Sequence, residues 1–238
     1  MPCAVGLDAT LRDLDGVAGW LTDAQARRLW ASASALTPPA RIVEIGSFQG
    51  RSTIVLARAA AEGVEVVAID PHAGTDRGPQ EIEGFEVEAA GDNRRFEANL
   101  TRAGVRHRVR HIRRFSGEAH GEVEDPIDLL YIDGAHRYRP ARDDIRAWGA
   151  RVRPGGTLLI HDSFSSIGVT LAILSGLVTD AGYTYTGRSG SLTEYRREPP
   201  PSRARNAARQ LSQLPWFAKN VVLKGLIAAR VVKRDWPY

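Results

Sequence analysis

The chain has little cysteine and no long run of apolar residues. Its 238 residues include one cysteine, Cys3, so no disulfide bond can form within the chain, which suits a reducing compartment. No stretch approaches the roughly 18 apolar residues of a membrane-spanning helix. The first residues carry Asp8, Arg12, Asp13 and Asp15, which argues against a signal peptide. These absences predict a cytoplasmic protein.

The glycine-containing segment 41–53 (RIVEIGSFQGRST) lacks the patterns of phosphate-binding loops. It has neither G-x-G-x-x-G nor a lysine after its glycines, so it predicts neither a pyrophosphate nor a triphosphate site. It places Glu44, Gly46 and Gly50 between a short apolar strand and a helix pattern, where glycines let the backbone approach a ligand closely. Asp70 ends the next strand, at a position where an acid can bind ribose hydroxyls.

Positive charge is concentrated at the end of the chain. From Ser202 onward there are eight cations and one acid, a net +7 against +4 for the whole chain, so residues 1–201 carry −3. The high isoelectric point is therefore a property of this tail, and no nucleic-acid partner is predicted.

Strand and helix patterns alternate through the middle of the chain, which predicts a parallel sheet with helices on both faces. A capping box at Thr22–Gln25 predicts an N-terminal helix that stops at Pro38-Pro39. Residues 183–185 and 192–195, joined by residues 187–190, are typical of a closing hairpin. Ligands of such sheets bind at the carboxyl ends of the strands. The polar residues predicted there are Glu44, Asp70, Ser116, Asp133, His161 and Asp162.

These motifs, in this order, resemble those of the class I S-adenosylmethionine-dependent methyltransferases over roughly residues 41–197. The resemblance implies a Rossmann-like, seven-stranded, mostly parallel α/β sheet with an antiparallel last strand. It divides the chain into an N-terminal helical segment (1–40), an S-adenosylmethionine-binding catalytic domain (41–198) and a basic helical tail (199–238). It assigns to the cofactor Glu44, Gly46, Ser47, Phe48, Gly50 and Ser52 at the methionine, Asp70 at the ribose, Ser116 and Gly117 at the adenine, and Asp133.

Within this class the chain resembles the metal-dependent O-methyltransferases of the catechol type and, more closely, the sugar and macrolide group. The resemblance implies that Asp133, His161 and Asp162 bind Mg²⁺, although an imidazole ligand would favour Mn²⁺. The family's adjacent ligand pair is usually Asp-Asn, Asp-Asp or Glu-Asp, so Asp162-Ser163 is an alternative pair. In a further alternative, Asp133 holds the cofactor while His161 and Asp162 cap the next helix.

His136 lies three residues beyond Asp133, where the catechol-type enzymes have a lysine that takes the substrate proton. An imidazole is a natural base near neutral pH, so we expect His136 to take this proton, with His161 as the rival. Alternatively, His136 packs on the adenine or lies in an exposed loop. The long polar segment 72–92 is typical of a lid, whose acids we expect to face water.

A metal with an adjacent base argues for methylation of a vicinal diol, on a sugar or a catechol. We favour a sugar, because the aromatic residues that flank catechol sites are not evident. Trp148 and Tyr131 look like core residues, and Tyr138 is the only aromatic candidate at the mouth of the site. The composition also suits an actinobacterial enzyme of methylated mannose polysaccharide or glycolipid synthesis. The alternatives are a metal-independent methyltransferase acting on a lipid or small metabolite, and a non-catalytic scaffold.

The tail combines apolar residues with cations, and we expect two helices broken at Pro215. Such helices can dock on the chain's own body, on a second subunit or on an anionic membrane surface. We favour docking on protein, with a homodimer as one form of it. The residues concerned are Trp216, Phe217, Val221, Leu223, Leu226, Ile227 and Val231, with Lys219, Lys224, Arg230, Lys233 and Arg234 between them.

Overall fold

A seven-stranded sheet forms the centre of the computed structural model, which describes residues 5–74, 91–229 and 231. The strand order is β3-β2-β1-β4-β5-β7-β6. The first five strands in this order are parallel, whereas β7 runs antiparallel to both β5 and β6. The predicted fold class is thereby confirmed. The strands are β1 (Ala40–Ile45), β2 (Val64–Ile69), β3 (Val109–Ile112), β4 (Ile127–Ile132), β5 (Val152–Ile160), β6 (Thr184–Ser189) and β7 (Leu192–Arg196).

Helices cover both faces of the sheet, so the central strands bury side chains on both sides. In β1, Ile42 belongs to the core beneath the first helices, while Val43 and Ile45 belong to the core on the opposite face. The described helices are α1 (Leu7–Asp13), α2 (Asp23–Ser34), α3 (Arg51–Ala59), α4 (Asp92–Arg102), α5 (Tyr138–Gly149), α6 (Ile167–Gly176), α7 (Arg203–Leu211) and α8 (Leu214–Ala228). None of the helices in the described ranges has the length and apolarity needed to cross a bilayer.

The capping box predicted at the start of α2 is present. Thr22 Oγ1 accepts the backbone N–H of Gln25 at 3.4 Å, and Gln25 Oε1 accepts the N–H of Thr22 at 2.8 Å. The helix ends at Ser34, before the two prolines. The short helix α1, which the sequence analysis missed, has no side-chain cap, but Leu14 and Val17 after its end are buried in the core that it shares with α2 and α3.

Element boundaries differ from the predictions where strand pairing decides them. β5 starts at Val152 and runs through Pro154-Gly155-Gly156, which the sequence suggested as a turn, because Val152 pairs with Ile127 before the register shifts. The hairpin turn lies at residues 190–191, and Gly187 sits inside β6 at an irregularity in its pairing with β7. Helix α4 has Gly91 at its N-cap position, not Asp92 or Asn93.

The described part of the tail packs on the chain's own body. In α7, Asn206 is buried; its Oδ1 accepts the N–H of Tyr185 at 2.8 Å and its Nδ2 donates to the carbonyl of Tyr183 at 3.0 Å. In α8, Trp216 and Phe217 pack against the main core. Pro215 lies in the first turn of α8, where its missing N–H costs nothing, and not at the break between the helices. The proposed lid, residues 72–92, lies largely outside the described residues. The three-part division of the chain stays a prediction.

Candidate active site

The loop between β1 and α3 approaches the end of β4 so closely that one of its positions requires glycine. Gly46 has φ +84°, and a Cβ built on it would lie 2.2 Å from the carbonyl oxygen of Asp133. Gly50 also has a positive φ of +90° and forms the N-cap of α3. A side chain at either position would push this loop away from its neighbours.

Asp70 holds the same loop from the end of β2. Its Oδ2 accepts the backbone N–H groups of Ser47 at 2.9 Å and Phe48 at 2.8 Å. Its Oδ1 accepts the N–H of His72 at 2.7 Å. The carboxylate therefore fixes two adjacent loops while it lines the cleft described below.

Glu44 lies beneath the loop and does not line the cleft. Its carboxyl group accepts hydrogen bonds from Ser52 Oγ and, at 2.5 Å, from Thr53 Oγ1 in the first turn of α3. Burial raises the pKa of the Glu44 carboxyl to about 8, and the hydrogen bonds from Ser52 and Thr53 oppose this shift. The residue anchors the start of α3 from within the core.

A cleft of about 1450 Å³ opens at the carboxyl ends of the parallel strands. It brings together most of the residues predicted from the sequence, while Glu44, Gly50 and Gly117 are outside its lining. Tyr138 lies in the lining, as expected, whereas Trp148 is fully buried. The predicted residues that line the cleft are Gly46, Ser47, Phe48, Ser52, Asp70, Ser116, Asp133, His136, His161 and Asp162.

The ends of β4 and β5 place two acids and a histidine side by side. Ile132 pairs with Ile160, so Asp133 and His161 are the first residues beyond neighbouring strands. His161 Nδ1 lies 3.0 Å from Asp133 Oδ1 and 3.4 Å from Asp162 Oδ2. Burial disfavours the imidazolium, but the two carboxylates outweigh burial and raise the pKa of His161 well above its usual range. Burial likewise opposes the charge of Asp162, yet His161 and His136 hold the pKa of Asp162 well below its usual range.

His136 also belongs to this cluster. Its Nε2 lies 3.0 Å from Asp162 Oδ2. In the part of the chain that the structure describes, the one group with metal-binding geometry consists of Asp133, His136 and Asp162, which offer ligand atoms within 4.8 Å of one another. His136 thus joins the two carboxylates in this group, whereas His161 contacts both acids but is not part of it.

The alternative pair Asp162-Ser163 is disfavoured by the position of the serine. Ser163 is fully buried, its Oγ donates to the carbonyl of Ile160 at 2.9 Å, and it lies 2.7 Å from Thr193 Oγ1. This hydroxyl contacts the sheet, and Ser163 does not line the cleft.

The sequence analysis missed two polar residues of the site. Tyr131, expected in the core, is fully buried but donates its hydroxyl to Asp133 Oδ2 at 2.7 Å. Asp144 lines the cleft and accepts the Ser116 hydroxyl at 2.6 Å; burial raises its pKa to about 6, opposed by this hydrogen bond. Asp144 could have been found, because it interrupts the apolar stripe of α5 formed by Ala141, Ile145 and Trp148.

Comparison with known proteins identifies relatives of this fold. A family model described as a methyltransferase domain matches residues 43–163, slightly more than half of the chain. An uncharacterized protein of Sinorhizobium fredii, y4gI, is 30% identical over 129 residues, which cover 52% of this chain but only 13% of that protein.

Two solved structures share the fold over most of their length. The O-methyltransferase TomG from Streptomyces achromogenes, in complex with S-adenosylmethionine, is 20% identical with a TM-score of 0.56, covering 81% of this chain and 89% of TomG. The O-methyltransferase NovP is 15% identical with a TM-score of 0.64, covering 81% of this chain and 98% of NovP. At these identities the similarity is one of fold.

Proposed function

Because the chain belongs to the methyltransferase-domain family, we propose that it is an S-adenosylmethionine-dependent O-methyltransferase that uses a divalent cation and methylates a hydroxyl of a sugar or related vicinal diol. One observation carries the proposal. The donor group of Asp133, His136 and Asp162 lies in the same cleft as the Gly46 loop and Asp70. A cofactor site and a cation site in one cleft suit a reaction that joins an activated methyl group to an oxygen.

The cleft residues fit the proposed cofactor. Ser47 Oγ is buried and has no hydrogen-bond partner among the described residues, so it is available to the methionine end. Asp70 suits the ribose hydroxyls, and Ser116 with Asp144 offers polar atoms for the adenine edge. S-Adenosylmethionine supplies a methyl group that is already activated, so the chain has to align the acceptor oxygen and make it nucleophilic.

The donor group fits a divalent cation. Two carboxylates are the ligands that Mg²⁺ prefers, and an added imidazole nitrogen favours Mn²⁺. A divalent cation there would supply charge that makes an acceptor hydroxyl more acidic and would orient neighbouring oxygens. The protein orients Asp133 for this task, since Tyr131 donates to its Oδ2 and His161 lies against its Oδ1.

We assign proton transfer from the acceptor hydroxyl to His136. About 29% of its side chain is exposed, whereas His161 is buried, so His136 is the imidazole that an acceptor in the cleft can contact. The same imidazole is within reach of the cation site. The metal affinity of a His136 variant distinguishes the two roles. A loss of metal affinity identifies a ligand, whereas unchanged metal affinity with lower turnover identifies a base.

The test is methyl transfer from labelled S-adenosylmethionine to paired panels of hexoses and catechols, with and without a chelator. We expect calorimetric binding of S-adenosylmethionine, loss of transfer on chelation and recovery with Mg²⁺ or Mn²⁺. Asp133→Asn and Asp162→Asn should each weaken Mn²⁺ binding by about tenfold or more, while the exposed Asp143→Asn serves as the control.

Each part of the proposal has its own contrary result. Transfer that persists at full rate after chelation would exclude the cation. Transfer to catechols alone would exclude the sugar. Failure to bind S-adenosylmethionine would exclude the activity.

A further inference from the structure

The cleft continues beyond the donor group along apolar side chains that the fold leaves exposed. On α6, Ile167 is 58% exposed and Leu171 is 47% exposed, and both line the cleft one helical turn apart. Single exposed apolar residues are normal, but apolar residues lining a cleft with convergent polar groups are typical of a ligand surface. The start of α6 follows the Asp162 turn directly, so this surface adjoins the donor group.

Helix α8 adds apolar residues to the same cleft. The first part of its inward stripe is covered by protein: Phe217 packs against the core, and Asn220 is buried and donates to the carbonyl of Phe164 at 3.2 Å. At helical spacing the same face continues through Val221, Lys224 and Ile227, so one cation lies between the two apolar residues that line the cleft. One stripe therefore begins as a packing contact and ends as the wall of the cleft.

We propose that the acceptor is amphipathic, with its hydroxyl-bearing head at the donor group and an alkyl or aryl portion packed on the apolar side chains of α6 and α8. This inference rests on the proposed function and adds the nature of the acceptor's remote part. The chemistry follows from the wall, because an unsubstituted sugar would leave Ile167, Leu171, Val221 and Ile227 in water. An apolar substituent next to the diol removes that surface from water and contributes to binding in proportion to its buried area.

Gly225 is a position at which a substitution can alter this surface without disturbing the fold. It lies on α8 in the lining of the cleft, and a Cβ at this position would meet nothing within 4 Å. Tryptophan has a better helix propensity than glycine, so Gly225→Trp should fold and place its ring at the cleft. The matched control is Gly176→Trp at the end of α6, where a Cβ also meets nothing and the residue is outside the lining.

The experiment compares pairs of acceptors that differ only in the apolar portion: methyl and octyl mannoside, and methyl and octyl gallate. Binding is measured by calorimetry with S-adenosylhomocysteine present and below the micelle concentration, and methyl transfer is measured separately. We expect at least one octyl compound to bind about tenfold or more tightly than its methyl partner, since burial of about two methylenes suffices for that gain. Gly225→Trp should abolish this preference. Gly176→Trp should retain the preference.

The two readouts separate this inference from the proposed function. If the methyl and octyl compounds of every pair bind equally, or if neither binds, the inference of an amphipathic acceptor is wrong. This holds even if methyl transfer occurs. A preference that Gly225→Trp leaves intact also overturns it, because the apolar portion then lies elsewhere. A preference abolished by Gly225→Trp, with no methyl transfer to any diol, supports the apolar surface and contradicts the proposed function.

Discussion

Nε2 of His136 lies 3.0 Å from Oδ2 of Asp162, which joins the loop after β4 to the turn after β5. The two residues belong to different strand ends, so the donor group depends on the pairing of these strands. His161 lies on the buried side of the same acids, 3.0 Å from Asp133 Oδ1. The two histidines thus differ in their access to the cleft, and this difference can be tested.

His136→Ala should lower kcat by about a hundredfold or more, because the acceptor loses its proton acceptor, and should leave S-adenosylmethionine affinity unchanged. His161→Ala should instead lower the melting temperature, because the buried Asp162 and the partly exposed Asp133 lose a cationic partner. Steady-state kinetics, calorimetry and thermal unfolding of both variants make the comparison. If His136→Ala binds the cofactor poorly but turns over normally at saturation, His136 belongs to the adenine pocket. If it loses Mn²⁺ affinity in parallel with kcat, it is a ligand.

Asp70→Ala should weaken S-adenosylmethionine binding by about tenfold or more. The variant loses a charge-assisted hydrogen bond to the ribose, worth roughly 1.5–3 kcal/mol, and also the acceptor that fixes the N–H groups of Ser47 and Phe48. Calorimetric titration with the cofactor measures the change, and Asp143→Ala is the exposed control. Unchanged affinity would contradict the assignment of Asp70 to the ribose.

Glu44→Gln should make the fold less sensitive to alkaline pH. Burial raises the pKa of Glu44 from its ordinary value of 4.5 to about 8 in the folded chain, so folding favours the protonated form. The contribution of Glu44 to the free energy of unfolding is complete below pH 4.5 and is lost as the pH rises towards 8. The loss is on the order of a few kcal/mol. Urea unfolding between pH 5 and 9 should therefore show a smaller decline for Glu44→Gln than for the wild type. Glu62→Gln, at an exposed position, should follow the wild type; an equal decline in both variants would contradict the assignment.

Gly46→Ala should disrupt the site far more than Gly104→Ala. Both glycines have positive φ, so both substitutions add backbone strain of about 1–2 kcal/mol. Only at Gly46 would the new methyl group meet backbone, 2.2 Å from the Asp133 carbonyl oxygen; at Gly104 it meets nothing within 4 Å. Melting temperatures and cofactor affinity of the two variants measure the difference. Similar values for both would show that the loop after β1 can move away.

The sheet and the residues at its strand ends could be predicted from the sequence, because the residues that follow parallel strands lie at one edge of the sheet. Asp70, Asp133 and Asp162 were therefore predictable. Which histidine joins the two carboxylates in the donor group was not predictable, because it depends on the turn after β5, where Asp162 adopts φ +54°. The roles of His136 and His161 stay predictions. Pairing of Ile127 with Val152 similarly extended β5 through a segment that has the composition of a turn.

Helix docking accounts for the remaining differences. Asp144 and Val221 line the cleft because α5 and α8 present those faces to it, and local sequence does not specify which side of an amphipathic helix faces a cavity. The expectation that Tyr138 would be the only aromatic candidate at the mouth was wrong, because Trp20 and Phe115 also line the cleft. Ile167 and Leu171 are exposed there as well.

The hairpin of β6 and β7 connects segments that are remote in sequence. Gln25 of α2 donates to Ser191 Oγ at 3.0 Å, and Asn206 of α7 holds the backbone of β6. The carbonyl of Ser191 accepts the N–H of Ser163, the neighbour of Asp162, at 2.9 Å. Remodelling of α2 thus reaches the turn that contains Asp162 within two contacts, whereas α7 acts on the hairpin through β6, and neither helix contributes a donor atom. Directed evolution of the proposed activity should accordingly recover activity-changing substitutions in both helices, far from the cleft.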